Sequence, residues 1–309
     1  MRSATMPSLT EIPLILGELL VLLVKLLFFF LEACYRLVVP PSRKDVAGKV
    51  VLITGAGHGM GRCTAKRFAK LQARVVIWDI NEAGNSRTVK EIQSSGGEVY
   101  AYTVDVTKKE KVYEAAEKVK KDVGKVDILI NNAGILVGEL LLELTDDQIQ
   151  RVMNVNVMAH FWTIRAFLPD MLSANEGHLV AISSAAGYFG KNFLVDYSAS
   201  KFAVTGMDES LELELMKNYD NANIKLTIVH PYIVKTGLVH GYTSRFMPIL
   251  EEDDAADTIV DGILRNRRKV FIPSDLRLSV VFKYIMPHKS YLALADFFKS
   301  ETCSQGKQD

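Results

Sequence analysis

Residues 49–54, KVVLIT, are a short apolar run that ends in a glycine-rich turn, Thr54-Gly55-Ala56-Gly57-His58-Gly59-Met60-Gly61. Helical periodicity begins at once, in GRCTAKRFAKLQ (61–72). A strand that turns through glycines straight into a helix must have that helix folded back over it, with the next strand parallel to the first. The chain then repeats the pattern. RVVIWD (74–79), EVYAYTVDV (98–106), VDILINNAG (126–134), GHLVAISS (177–184), IKLTIVHP (224–231) and KVFIP (269–273) read as six further strands, with helical stretches between them. Most of these strands are near-continuous Val, Ile and Leu rather than alternating, which fits burial on both faces. The expected fold is α/β, a doubly wound parallel sheet of seven strands.

The turn carries chemistry. Its backbone N–H groups approach a pyrophosphate at the start of a helix, where the helix dipole also favours an anion. The spacing is TGxxxGxG and not GxGxxG. Asp79 ends the second strand, where a carboxylate accepts bonds from the ribose hydroxyls of an adenine dinucleotide and repels a 2′-phosphate. That favours NAD over NADP and makes the sheet one of Rossmann type. Arg62 and Arg74 lie nearby in sequence and work against the discrimination.

Tyr197-Ser-Ala-Ser-Lys201 lies near the start of a helix expected over 196–217. Residues four apart share a helix face, so phenol and ammonium project together. With 11 tyrosines in the chain the motif arises by chance about once, so it needs context. Ser184 supplies it, at the carboxyl end of the fifth strand where open sheets place their ligands. A phenol with an ordinary pKa of about 10 is a poor proton shuttle at neutral pH. A lysine at about 4 Å, attracting the phenolate by about 4 kcal/mol at an effective dielectric of about 20, is expected to lower that value. The implied reaction is proton transfer at an alcohol or carbonyl coupled to hydride transfer.

Residues 12–39, IPLILGELLVLLVKLLFFFLEACYRLVV, stand apart in composition. They are long enough to cross a bilayer, for which about 20 residues suffice. Glu18, Lys25 and Glu32, spaced by seven, form one drifting polar stripe on a helix. A monotopic anchor or hairpin, a single span and a buried core helix all remain open. Arg36, Arg43, Lys44 and Lys49 follow the segment and only Arg2 precedes it, which places the following domain on the cytosolic side. Net charge is +1, from 37 basic and 36 acidic residues, so no field exists to hold a nucleic acid. Cys34, Cys63 and Cys303 are far apart and odd in number, excluding a disulfide framework. Neither His58 nor His230 has partners at ligand spacing, and no metal is expected. Cys63 reads as a small buried hydrophobe, and Glu251-Glu252-Asp253-Asp254 as the start of a helix. Phe161 and Trp162 lie on a long helix expected over 145–172, as core or interface residues. The segment LRLSVVFKYIMPHKSYLALADFFKS after 275 reads either as an interfacial or substrate-covering element or as a surface helix pair.

These motifs together resemble the short-chain dehydrogenase/reductase family, over roughly residues 47–273. Added to those above are Asp105 after the third strand, Asn131-Asn132-Ala133-Gly134 after the fourth, and Asn156 in VMNVNV. VAGKVVLITGAGHGMGR, VIWDIN, AHFWT, YSASKFA and DGIL are similar to the branch holding 17-beta-hydroxysteroid dehydrogenases of types 11 and 13 and the epidermal retinol dehydrogenases. The resemblance implies Tyr197 as general acid/base, Lys201 tuning it and binding the nicotinamide ribose, Ser184 holding the substrate oxygen, and Asn156 supporting a water relay. It implies a cofactor site of Gly55, Gly57, His58, Gly59, Met60, Gly61, Asp79, Asp105, Val106, Asn132, Ala133, Gly134, Tyr197, Lys201, Pro231, Val234 and Thr236. One departure is visible: the family's Pro-Gly after the sixth strand is Pro231-Tyr232 here. Three segments are expected: an anchor over 1–42, a catalytic domain over 43–275 and a basic, apolar tail over 276–309. The expected activity is NAD-dependent interconversion of a lipophilic alcohol and its carbonyl, at the endoplasmic reticulum membrane or a lipid droplet. A mixed apolar and aromatic loop at 237–250 suits such a ligand, and pairing with a second copy of the chain is open. The other class considered is a lipid-droplet interaction protein that keeps the fold without the chemistry, which the complete Asn156, Ser184, Tyr197 and Lys201 set argues against.

Overall fold

A computed structural model describes residues 11–238, 242, 244, 245 and 249–298. Cys303 and parts of the 237–250 loop lie outside the described residues. The chain divides into two compact units, Met1–Arg43 and Lys44–Asp309.

In the first unit, α1 spans Ile12–Val38, with Pro13 in its opening turn, where a missing N–H costs nothing. None of its residues is buried. It is long and apolar enough to cross a membrane. Near its end Glu32 accepts an ion pair from Arg36 at 2.5 Å, one turn on.

In the second unit β1 (Val50–Thr54), β2 (Arg74–Asp79), β3 (Val99–Thr103), β4 (Ile128–Asn131), β5 (Gly177–Ile182), β6 (Ile224–Pro231) and β7 (Lys269–Ile272) form one parallel sheet. The order is β3-β2-β1-β4-β5-β6-β7. All seven strands expected from the sequence are present. Successive side chains of a strand face opposite ways, so each strand feeds two cores. Val51 and Ile53 join Phe68 and Ile259 on one face. Val50 and Leu52 join Trp78 and Phe167 on the other. The first face is covered by α2 (Gly59–Lys70), α3 (Glu82–Ser94) and α8 (Glu252–Leu264). The second is covered by α4 (Lys109–Asp122), α6 (Ala159–Ser173) and α7 (Val195–Asn218). Cys63 is buried, and the acidic run opens α8, both as expected. Trp162 packs against the second core, while Phe161 is exposed.

The long helix expected over 145–172 differs. It begins as α5 (Asp146–Met153), capped by the reciprocal Thr145 and Gln148 bonds, widens into a π-helical turn at Asn154–Met158, and continues as α6. Hydrophobic periodicity registers a helix but not one residue of extra winding. After β7 come α9 (Leu276–Ile285) and α10 (His288–Phe298), separated at Pro287. Lys283 of α9 donates to the Tyr188 carbonyl and lies 5.3 Å from the Phe202 ring centre.

Strand order reverses between β1 and β4. Crossovers leave those two strands in opposite directions, opening a crevice at their carboxyl ends.

Candidate active site

Thr54, the last residue of β1, organises that crevice. Its hydroxyl oxygen accepts from the backbone N–H groups of Asn132 and Ala133, both at 3.0 Å. The Asn132 side-chain amide donates back to the carbonyls of Thr54 at 2.9 Å and Gly55 at 3.0 Å. The ends of β1 and β4 are thereby fixed to each other. Gly61, in the first turn of α2, sits so close behind that a Cβ there would lie 2.3 Å from the Gly55 carbonyl oxygen. Gly59 opens α2 with φ +57°, a left-handed conformation that suits glycine.

Asp79 is buried at the end of β2. One carboxylate oxygen accepts the Gly57 N–H at 2.8 Å and the other the Asn81 N–H at 2.9 Å. The carboxylate is thus fixed against the turn, with His58 Nδ1 at 3.9 Å. The two rival cations are engaged by other acids: Arg74 by Glu98 at 3.0 Å, and Arg62 by Glu91 and Glu252, each at 3.7 Å. Asp105 accepts from the Thr107 N–H and hydroxyl, at 3.0 and 2.7 Å.

A cleft of about 550 Å³ lies over this platform. Of the residues expected at a cofactor, Gly55, His58, Gly59, Met60, Gly61, Asp79, Asp105, Val106, Asn132, Ala133, Gly134 and Thr236 line it. Gly57, Tyr197, Lys201, Pro231 and Val234 do not, and the Gly57 N–H is spent on Asp79. Lys108, Gln150, Arg151 and Asn154 also line it, and sequence reasoning missed them. The last three belong to the α5 helix and its π-helical continuation, whose amphipathic pattern reads as an ordinary surface helix.

A second chamber of about 70 Å³ is lined by Ser184, Tyr197, Pro231, Tyr232 and Val234. Met60, Thr236 and Leu238 line both cavities, so the two adjoin. Ser184 caps the short turn Ala185–Gly187, accepting from the Ala186 N–H at 3.1 Å, and hydrogen-bonds the Tyr197 phenol. Lys201, one turn along α7, is buried, donates to the Ile182 carbonyl at 3.0 Å, and lies 5.6 Å from the Tyr197 ring centre.

The π-helical turn aims Asn156 at the loop after β4. Its amide oxygen accepts the Ile135 N–H at 2.9 Å, and its amide nitrogen donates to the Ile135 carbonyl and to the Ser200 hydroxyl, both at 3.0 Å. A Cβ on Gly134 would lie 3.5 Å from both the Asn156 amide oxygen and the Lys201 ammonium. The glycine therefore keeps open a space flanked by both groups.

The electrostatics correct one expectation. In the protein alone the phenol's pKa lies above its ordinary value, not below it. Burial pushes Tyr197 up to about 12, countered only by the Ser184 hydrogen bond, and pulls Lys201 down to about 8. Removing each group from water penalises its charged form.

Comparison with known proteins bears on the family and the fold. The short chain dehydrogenase family profile matches residues 49–245. Human epidermal retinol dehydrogenase 2 is 45% identical over 284 residues, covering 91% of this chain and 92% of that protein. Estradiol 17-beta-dehydrogenase 11 of Macaca fascicularis is 40% identical over 275 residues, covering 89% and 91%. Among solved structures, a short-chain dehydrogenase/reductase from Burkholderia phymatum in complex with NAD superposes with TM-score 0.72 at 26% identity, covering 86% of this chain and 99% of that one. A metagenomic short-chain oxidoreductase in complex with NADP gives TM-score 0.64 at 27% identity, covering 74% and 98%. The chain belongs to the short-chain dehydrogenase family. It is an oxidoreductase of alcohol and carbonyl groups with a nicotinamide dinucleotide cofactor.

Proposed function

We propose that the protein oxidises a lipophilic alcohol to its carbonyl, or the reverse, with NAD, on the surface of a membrane or lipid droplet. The observation that carries this reading is the convergence of Ser184, Tyr197 and Lys201 beside a cleft walled by the glycine turn and Asp79.

Bound NAD supplies the hydride acceptor and a cationic ring. The Gly55–Gly61 turn and the start of α2 hold the pyrophosphate, Asp79 the adenosine ribose, and Thr236 the carboxamide end. Ser184 and Tyr197 hold the substrate oxygen by hydrogen bonds. Tyr197 takes the hydroxyl proton as the carbinol hydride leaves, or returns it in reduction. A phenol held near pKa 12 ionises too rarely for this at neutral pH. Protonated Lys201 beside it favours the phenolate, and an oxidised nicotinamide held in the cleft would add positive charge. Asn156 and Gly134 border the space through which the proton passes toward Lys201 and solvent.

Asp79 supports NAD, because a 2′-phosphate beside a buried carboxylate places two like charges together. The engagement of Arg62 and Arg74 elsewhere strengthens that case. Residues 1–42 are the anchor, residues 43–275 the catalytic domain, and 276–309 a tail whose exposed Leu278, Phe282, Ile285, Leu292 and Phe297 suit contact with lipid. The basic residues after α1 favour a cytosolic catalytic domain on endoplasmic reticulum or droplet. The retinol and estradiol dehydrogenases named above support a polycyclic or isoprenoid lipid alcohol as substrate.

The test is NADH formation by the full chain in detergent with retinol, a 17β-hydroxysteroid and a long-chain fatty alcohol. Turnover of at least one, with higher kcat/KM for NAD than NADP, is expected. No turnover of any, with NAD bound, overturns the reading.

A further inference from the structure

The connection between β5 and α7, residues 183–194, supplies much of the chamber that holds Ser184 and Tyr197. Ser183, Ser184, Ala185 and Ala186 line the chamber from the start of this connection, and Lys191 and Leu194 from its end. Tyr188 lies between them and closes the short turn that Ser184 opens. Three other elements hold it. The His230 ring of β6 lies 4.7 Å from the Tyr188 ring, and His230 Nδ1 donates to the Ser184 carbonyl at 3.1 Å. Lys269 of β7 donates to the Tyr188 hydroxyl at 3.1 Å. Lys283 of α9 donates to the Tyr188 carbonyl.

Among the described residues no carboxylate pairs with Lys283. Its ammonium lies instead among four aromatic rings, 5.7 Å from the centre of Phe189, 5.3 Å from Phe202, 5.4 Å from Tyr284 and 5.7 Å from Tyr291. Phe189 belongs to the connection, Phe202 follows Lys201 in α7, and Tyr284 and Tyr291 belong to α9 and α10. The negative faces of aromatic rings attract a cation, more strongly where water is thinned. Burial lowers the lysine's pKa, in keeping with such shielding. One side chain thus ties the C-terminal helix pair both to α7 and to the turn that carries Ser184.

We propose that Lys283 is a positioning residue for the reaction, holding the 183–194 connection, and with it Ser184 and the chamber wall, from the C-terminal helix pair. This rests on the oxidoreductase reading of the site and extends it to a residue beyond the family profile's match over 49–245. The tail is then part of the substrate site as well as a surface for lipid. Without Lys283, Tyr188 keeps its holds on β6 and β7, so the connection stays folded while its placement loosens. The loss falls on the alcohol and spares NAD, since no residue of 183–194 lines the cofactor cleft.

The experiment measures kcat and KM, with NAD, for retinol, a 17β-hydroxysteroid and a long-chain fatty alcohol in detergent. It uses the full-length wild type, Lys283→Met, Lys283→Arg and Tyr291→Leu, with NADH affinity read by fluorescence. Lys283→Met should raise KM about tenfold for each alcohol that the wild type oxidises, with kcat reduced less and NADH affinity unchanged. Lys283→Arg keeps a cation that stacks on rings and donates to a carbonyl, so it should recover most of the loss. Tyr291→Leu removes one ring of the four, in α10, and should raise KM about twofold to threefold. An unchanged KM in Lys283→Met, or an arginine variant as impaired as the methionine one, overturns the positioning role and leaves the oxidoreductase reading standing. If Lys283→Met fails to bind NADH, Tyr291→Leu decides, and a wild-type KM there overturns the role. Failure of the wild type to oxidise any of the three alcohols, with NADH bound, overturns both.

Discussion

The two longest helices among the described residues make opposite use of similar lengths. α1 has 27 residues, is apolar except for the stripe of Glu18, Lys25 and Glu32 and for Arg36 near its end, and buries none of them. α7 has 24 residues, shows no clear apolar stripe, and buries Asp196, Tyr197, Ser198, Ser200, Lys201, Thr205 and Asp208 among others. A helix that leaves most of its apolar surface uncovered finds its partner in lipid or protein. A helix that buries hydroxyls, a phenol and an ammonium incurs desolvation costs at each one, and does so where the chemistry needs groups out of water. On the function proposed above, the first helix concerns where the molecule sits and the second what it does.

That division is open to breakage from either side. Tyr197→Phe keeps the ring and removes the proton carrier, so kcat for alcohol oxidation should fall by about a hundredfold or more while NAD binding persists. Steady-state rates beside NADH fluorescence check this, and substantial turnover would return α7 to a merely structural role. Removing residues 1–42 should shift most of the protein from the carbonate-washed membrane pellet to the supernatant, with NAD affinity unchanged. Full retention in the pellet would transfer the anchoring role to α9 and α10.

Asp79→Ser tests a group that belongs to neither helix. Losing the buried carboxylate should narrow the NAD-over-NADP preference by about tenfold, read as the ratio of kcat/KM values. The smallest effect concerns pH. Lys201 is protonated below about 8 and neutral above it. Its charge favours the phenolate, so that help is present below about pH 8 and fades above it, while hydroxide favours ionisation as pH rises. Alcohol oxidation should therefore peak near that value, and Lys201→Met should be slower with its optimum moved to higher pH. An unmoved optimum would separate Lys201 from the proton path.

Much of this was legible in the residues. The inner strands announce themselves because they are buried on both faces, and Val, Ile and Leu runs are the direct imprint of that burial, whereas the edge strands β3 and β7 are only partly covered. The cleft was legible because Gly59 and Gly61 occupy positions where a side chain fits badly. The ionisation of Tyr197 and Lys201 was not. Four residues of spacing fix their proximity, but the balance between attraction and desolvation depends on how much protein surrounds them. Lys191 was missed for a related reason. A lone cation in a loop without periodicity carries no pattern, and only the folded chain places it in the wall of the chamber. Thr54, too, reads as the end of a strand until its hydroxyl is seen holding two N–H groups of another.

The wide turn at Asn154–Met158 sets a condition on how this stretch can vary. Each helical residue advances the azimuth by about 100°. One additional residue in the winding lets Asn156 aim at the loop after β4 while Thr163, Phe167 and Met171 still face the sheet. Deleting a single residue here would restore a regular helix and swing one of those two sets out of alignment. Insertions and deletions, which surface loops absorb freely, are thus excluded from a span of roughly five turns. Site and core are geared together there, and neither can be re-indexed without the other.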